Sequence, residues 1–206
     1  GKSTLFDLLC GLINPTEGKI LIDGKDISKY SIESVRSTFG IIPQELGLFK
    51  RSIEDNIKYG SFNSTREEVI AAAKQSGAHE FIKNLHNDYD AKLELECNLS
   101  GGQKQRLMIA RGLLRKAKIF IFDEPTTGLH FHDIKLLLDS FTALIANGHT
   151  VIVVEHHLDL IKCADHIIDL GPVGGNKGGQ LLTVGTPEEV VLSKDSFTAE
   201  YLRLKI

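Results

Sequence analysis

"AKIFIFDEP", residues 117–125, holds an unbroken apolar run and then two adjacent acids before a proline. A run of this length reads as a strand buried on both faces, which suits the centre of a parallel sheet. Asp123 then sits at the carboxyl end of that strand, where open α/β sheets bind their ligands. An aspartate there can hold Mg²⁺, and the next residue, Glu124, can polarise a water for attack on a γ-phosphate.

The neighbouring sequence supports this frame. "STLFDLLCGL" (3–12) spaces Leu5, Leu8, Leu9 and Leu12 as a helix that Pro15, Glu17 and Gly18 end. "KILIDG" (19–24) reads as a half-buried strand closed by an Asp-Gly turn, and "STFGIIPQ" (37–44) as a short strand stopped by Pro43. Residues 52–95 read as mostly helical, with Ser64 or Thr65 as an N-cap. A further helix is expected from about Gly101 to Arg115. "IKLLLDSFTALIANG" reads as an amphipathic helix ending at Gly148, and "TVIVVE" (150–155) as a second fully buried strand. The helix "LDLIKCA", the strand "HIIDLG" and a Gly-rich hairpin follow, and Thr186-Pro187 starts a last helix. Strands alternate with helices, so the class is α/β with a largely parallel sheet. The helical stretch 52–115 interrupts the alternation as a subdomain.

Bulk properties narrow the function. The chain has 206 residues, 24 Lys and Arg against 27 Asp and Glu, and a net charge of −3, which is no general attraction for nucleic acid. No apolar run nears the roughly 20 residues that span a bilayer. Cys10, Cys97 and Cys163 form no C-x-x-C pair, so neither a zinc site nor a disulfide framework is expected.

Two further stretches carry phosphate chemistry. "GKST" (1–4) is the end of a phosphate loop, with a lysine for phosphate oxygens and a hydroxyl for Mg²⁺. "LSGGQKQR" (99–106) puts Ser100, Gly101 and Gly102 at the start of a helix, where backbone N–H groups and the helix dipole favour an anion.

In the order "GKST", "PQ", "LSGGQKQR", "IFIFDEP" and "EH", the chain resembles the ATP-binding cassette (ABC) ATPases over essentially its whole length. The resemblance implies a P-loop NTPase fold with a helical signature subdomain at about 52–115 and a RecA-like core from 1–51 and 116–206. It also implies a single domain whose N-terminal strands are missing. By position, Gly1, Lys2, Ser3 and Thr4 would bind the phosphates of ATP. Ser3, Gln44 and Asp123 would serve Mg²⁺. Glu124 would be the catalytic base, Gln44 a mobile residue beside it, and His156 the γ-phosphate switch, with His157 the alternative. Ser100, Gly101, Gly102 and Gln103 would face the ATP of a second cassette in a head-to-tail dimer.

Within the family the two halves resemble different relatives. Residues 1–125 resemble the cassettes of peptide and lipid exporters, and "LFKRSIEDNI" is where those cassettes receive their membrane-spanning domains. Residues 118–206, with "EHHLDLIKCADHIIDLGPVGGNKGGQ", resemble the C-terminal end of UvrA-type excinuclease ATPases, which recognise damaged DNA in nucleotide excision repair. Three readings stay open. One is an exporter motor at the cytoplasmic face of a membrane. Another is a repair ATPase with DNA and repair partners. The third is a truncated or chimeric cassette that turns over little. A chain beginning at Gly1 is expected to bind ATP weakly, because half of the phosphate loop's N–H donors precede it.

Overall fold

The computed structural model describes residues 2–45, 47–93, 98–171 and 179–206, and at Lys2, Ser3 and Phe131 the backbone alone. Gly1, Cys97 and most of the expected Gly-rich hairpin turn lie outside the described residues. In chain order the elements begin with α1 (Lys2–Leu9), β1 (Leu21–Ile22), β2 (Lys25–Asp26), α2 (Ile32–Thr38) and β3 (Phe39–Ile42). Then come α3 (Ile53–Lys58), α4 (Arg66–Gln75), α5 (His79–Lys83), α6 (Gly101–Leu114), β4 (Ile119–Asp123), α7 (Phe131–Ala146) and β5 (Thr150–Val154). The chain closes with α8 (Leu158–Ile161), β6 (Ile167–Gly171), β7 (Gln180–Gly185), α9 (Pro187–Val190) and α10 (Phe197–Leu202). The contacts divide these into two compact units, Leu8–Val154 and Gly1–Asp7 with Glu155–Ile206.

In the larger unit, β3, β4 and β5 form a parallel sheet in that order. The apolar run lies at its centre: Phe120, Ile121 and Phe122 are buried, while Asp123 and Glu124 emerge half-buried at the carboxyl end. β5 corrects the expectation of full burial. Val151 to Val154 are half-buried, because β5 is an edge of the described sheet with one ladder partner. Another correction concerns α1, which ends at Leu9 rather than near Leu12. Gly11 takes φ +62° and donates its N–H to the Leu8 carbonyl at 3.1 Å, a left-handed stop. The buried residues there are Phe6 and Cys10, four apart, while Leu5 and Leu12 are exposed. The Asp-Gly turn forms as the sequence predicts, between β1 and β2, with both turn residues at positive φ.

The region 52–114 has an apolar core of its own, built by Ile53, Ile57, Val69, Ile82 and Leu107, which are all 0–1% exposed. Burying each such side chain stabilises by about 2 kcal/mol. Its helices carry explicit start signals. Thr65 caps α4 in a reciprocal box with Glu68, and Ser52 caps α3. Arg66 ties Asp90 with two 3.0 Å hydrogen bonds and also meets Glu54. Hydrogen bonding to Arg66 holds the Asp90 carboxyl below its ordinary value.

In the smaller unit, β6 and β7 pair antiparallel, with a bulge at Asp169/Leu170. Thr186 caps α9 in a second reciprocal box, with Pro187 at its first position. Asp169 accepts hydrogen bonds from the hydroxyls of Ser196 and Thr198, which fastens α10.

Candidate functional site

Two parallel neighbours end side by side, and the site grows from their ends. β3 stops at Pro43 and leads into Gln44, while β4 delivers Asp123 and then Glu124. Although 80 residues apart, the two side chains meet: Gln44 Nε2 donates to Glu124 Oε2 at 3.2 Å. A parallel pair makes this possible, because Ile42 stands beside Phe122 and both chains leave the sheet at its carboxyl end. The backbone of Glu124 lies at φ +45°, which a residue with a β-carbon adopts at a cost of about 1–3 kcal/mol. The turn is held by the Glu124 N–H on the Val154 carbonyl at 2.9 Å and by the Thr127 N–H on the Glu124 carbonyl at 3.1 Å.

Helix α6 starts from Ser100, whose hydroxyl oxygen accepts from the Gln103 N–H at 3.3 Å. The Gln103 side chain returns the bond to the Ser100 N–H at 2.9 Å. The hydroxyl proton of Ser100 therefore still has a bond to give, and Ser100 and Gly101 are exposed. Both glycines lie close against side chains of the following segment. A Cβ on Gly101 would lie 2.9 Å from Leu129 Cδ2, and one on Gly102 3.1 Å from Asp133 Oδ1. The start of α6 is thus seated against the segment that follows the acids.

Two polar side chains of α6, the buried Gln105 and the half-buried Arg111, complete the surroundings, and sequence reading missed both. Gln105 Nε2 donates to the Pro125 carbonyl at 2.5 Å. Arg111 donates to the carbonyls of Asn56 (2.9 Å) and Gly47 (3.2 Å) and to Asn56 Oδ1 (3.3 Å), and stacks on Phe49 and Tyr59. Burial pushes the Arg111 guanidinium below its ordinary value, and it remains charged. Asn56, 1% exposed, also accepts from the Phe49 N–H at 2.8 Å and donates to its carbonyl at 2.9 Å. The loop after Gln44 is thereby fastened to the helical region.

The remaining sequence-predicted residues lie in the smaller unit. Thr4 is exposed on α1; Gly1 and the side chains of Lys2 and Ser3 lie outside the described residues. His156 has a 70% exposed side chain, with Nδ1 3.7 Å from Glu155 Oε2. The Glu155 carboxylate accepts the N–H groups of His156 (2.7 Å) and His157 (3.0 Å). His157 is half-buried, and its Nδ1 finds no hydrogen-bond partner among the described residues.

Residues 1–127 match the family model described as ABC transporter. The chain belongs to the ABC transporter family. What it represents of an ABC transporter is the nucleotide-binding ATPase domain, a family part that binds ATP. It is 40% identical over 203 residues to ABC transporter B family member 26, chloroplastic, of Arabidopsis thaliana, covering 97% of this chain and 28% of that protein. With the iron-sulfur clusters transporter ATM1, mitochondrial, of Gibberella zeae it shares 37% identity over 202 residues, again 97% of this chain and 28% of that protein. Its fold matches the solved structure of a bacterial Atm1-family ABC exporter with ATP bound at a TM-score of 0.84 and 37% identity, over 100% of this chain and 35% of that one. The chain thus spans about a quarter of the length of these curated relatives, and the likeness extends well past residue 118. Among the described residues no helix is long and apolar enough to cross a membrane.

Proposed function

We propose that this ABC domain is the ATP-hydrolysing motor of an exporter, and that Glu124 is its general base. The observation that carries the reading is the Gln44–Glu124 hydrogen bond at the carboxyl ends of β3 and β4. It supports a carboxylate oriented to take a proton from water, with Gln44 holding one of its oxygens. Glu124 accepts that proton as the water attacks the γ-phosphate of ATP. Gly1, Lys2, Ser3 and Thr4 hold the phosphates, and His156, with His157 as the alternative, contacts the γ-phosphate.

Mg²⁺ fits the donor set. Ser3, Gln44 and Asp123 all offer hard oxygen, and Mg²⁺ with a nucleotide needs only one or two protein carboxylates beside the phosphates. When bound, the ion neutralises charge that develops on the phosphate oxygens. Ser100, Gly101, Gly102 and Gln103 present a hydroxyl proton and N–H groups to the ATP of a second cassette, which implies a head-to-tail dimer. The whole is one cassette, with residues 52–115 as its helical subdomain and 1–51 with 116–206 as its RecA-like core. Membrane-spanning domains dock near "LFKRSIEDNI", on the cytoplasmic side.

Glu124→Gln tests the reading. It is expected to abolish ATP turnover while ATP binding persists; turnover at the parent rate would remove Glu124 as the base. A second reading, a DNA-repair ATPase, rests on the likeness of residues 118–206 to the UvrA-type excinuclease ATPases. It requires duplex binding that weakens steeply with salt, measured by fluorescence anisotropy from about 50 to 200 mM salt; no duplex binding at the low-salt end removes it.

A further inference from the structure

Gln105 is 6% exposed, yet only one end of its amide is used. Nε2 donates to the Pro125 carbonyl, while Oε1 is buried and finds no hydrogen-bond partner among the described residues. Gln105 supplies the buried Pro125 carbonyl with a donor that an apolar side chain of equal length would not. Its bond falls on the residue directly after Glu124, where the backbone is held at φ +45°. The Glu124 N–H is held from β5 and the Thr127 N–H from within the turn, whereas Gln105 reaches the turn from the helix that begins at Ser100. The fit of Gly101 to Leu129 and of Gly102 to Asp133 belongs to the same contact, so α6 grips residues 125–133 at several points.

We propose that Gln105 is a positioning residue for Glu124: its amide N–H, reaching from α6, sets the Pro125 carbonyl and through it the aim of the carboxylate. The proposal rests on reading Glu124 as the base. Glu124 is tethered at both ends of its turn, by Gln44 at the carboxylate and by Gln105 at the following peptide. The direction of attack on water is thus referenced to α6, whose first residues carry the phosphate-binding hydroxyl and amides.

The test is steady-state Mg-ATP hydrolysis by the intact protein carrying Gln105→Met, Gln105→Glu or Glu124→Gln. Gln105→Met keeps the length, loses the donor and removes the unpaired acceptor. It is expected to lower kcat at least tenfold, with KM for ATP within twofold. Gln105→Glu, ionised, cannot donate to Pro125; protonated, it can. Its kcat relative to the parent is expected to rise as pH falls from 8 to 6, because burial raises a carboxyl pKa. A purely structural role would not give that recovery. If Glu124→Gln is inactive and Gln105→Met keeps kcat within twofold, the positioning role is overturned and the base stands. If Glu124→Gln turns over normally, base and positioning role fall together. If Gln105→Met loses kcat and stability at once, Gln105→Glu decides: recovery toward pH 6 supports the proposal, and a flat ratio overturns it.

Discussion

Arg111 and Gln105 lie on the same helix and are treated in opposite ways. Around Arg111 the structure uses three hydrogen bonds, two ring faces and the doubly engaged Asn56. Around Gln105 an acceptor finds no partner among the described residues, and its amide N–H meets a turn at positive φ. The first region reads as a fastening. The second reads as a place where strain is tolerated because geometry matters more than comfort, which is typical of functional sites. One helix therefore serves as anchor at its far end and as gauge near its start.

The largest effect should come from the strained side. Glu124→Gln is expected to cut ATP turnover by more than about a hundredfold, as loss of a general base does, with the unfolding midpoint little changed. Phosphate release under saturating ATP measures it. If the unfolding midpoint fell instead, the strained corner would be a fastening too, and the contrast between the two regions would vanish. On the fastened side, Arg111→Ala leaves the Asn56 and Gly47 carbonyls without their charged donor and uncovers the paired rings of Phe49 and Tyr59. It should lower stability by about 3 kcal/mol in urea unfolding. A loss under about 1 kcal/mol would mean that the cluster is decorative. Thr65→Ala, which breaks the capping box of α4 in the same region, should cost about 1 kcal/mol by the same measurement.

A pH-dependent effect concerns Tyr89, which is buried within the helical region and has its hydroxyl 2.8 Å from His79 Nδ1. Burial pushes its phenol up to about 12. A folded pKa raised above the unfolded value of about 10 gives stability that is whole below pH 10. That stability is lost as pH rises from there through about 12. Urea midpoints between pH 9 and 12 should fall more for the parent than for Tyr89→Phe. Parallel curves would show that the phenol does not titrate against folding.

Local chemistry made much of this readable from the residues. The Asp-Gly turn, the Thr65 cap, the Pro43 stop and the apolar run of β4 each act within a few positions, and each stands where its residue types require. What escaped were effects decided at a distance. Full burial of β5 needed a covered second edge, which an apolar run does not report. In α1 the choice between a Leu5/Leu12 face and a Phe6/Cys10 face depended on the left-handed turn at Gly11. For the candidate site, the acids at the end of β4 and the Ser-Gly-Gly start of α6 were legible as placements in the fold. Gln105 and Arg111 were not, because a polar residue in a basic helix normally faces water. Their partners, Pro125 and the segment 47–56, lie 20 and 55 or more positions away.

The backbone of Glu124 carries one more implication. Glycine adopts φ +45° without penalty and asparagine with little. A change of Glu124 to either is therefore expected to yield a sturdier fold that does no work. Loss of the reaction would be downhill for the scaffold, and only a demand for turnover keeps an acid at that corner.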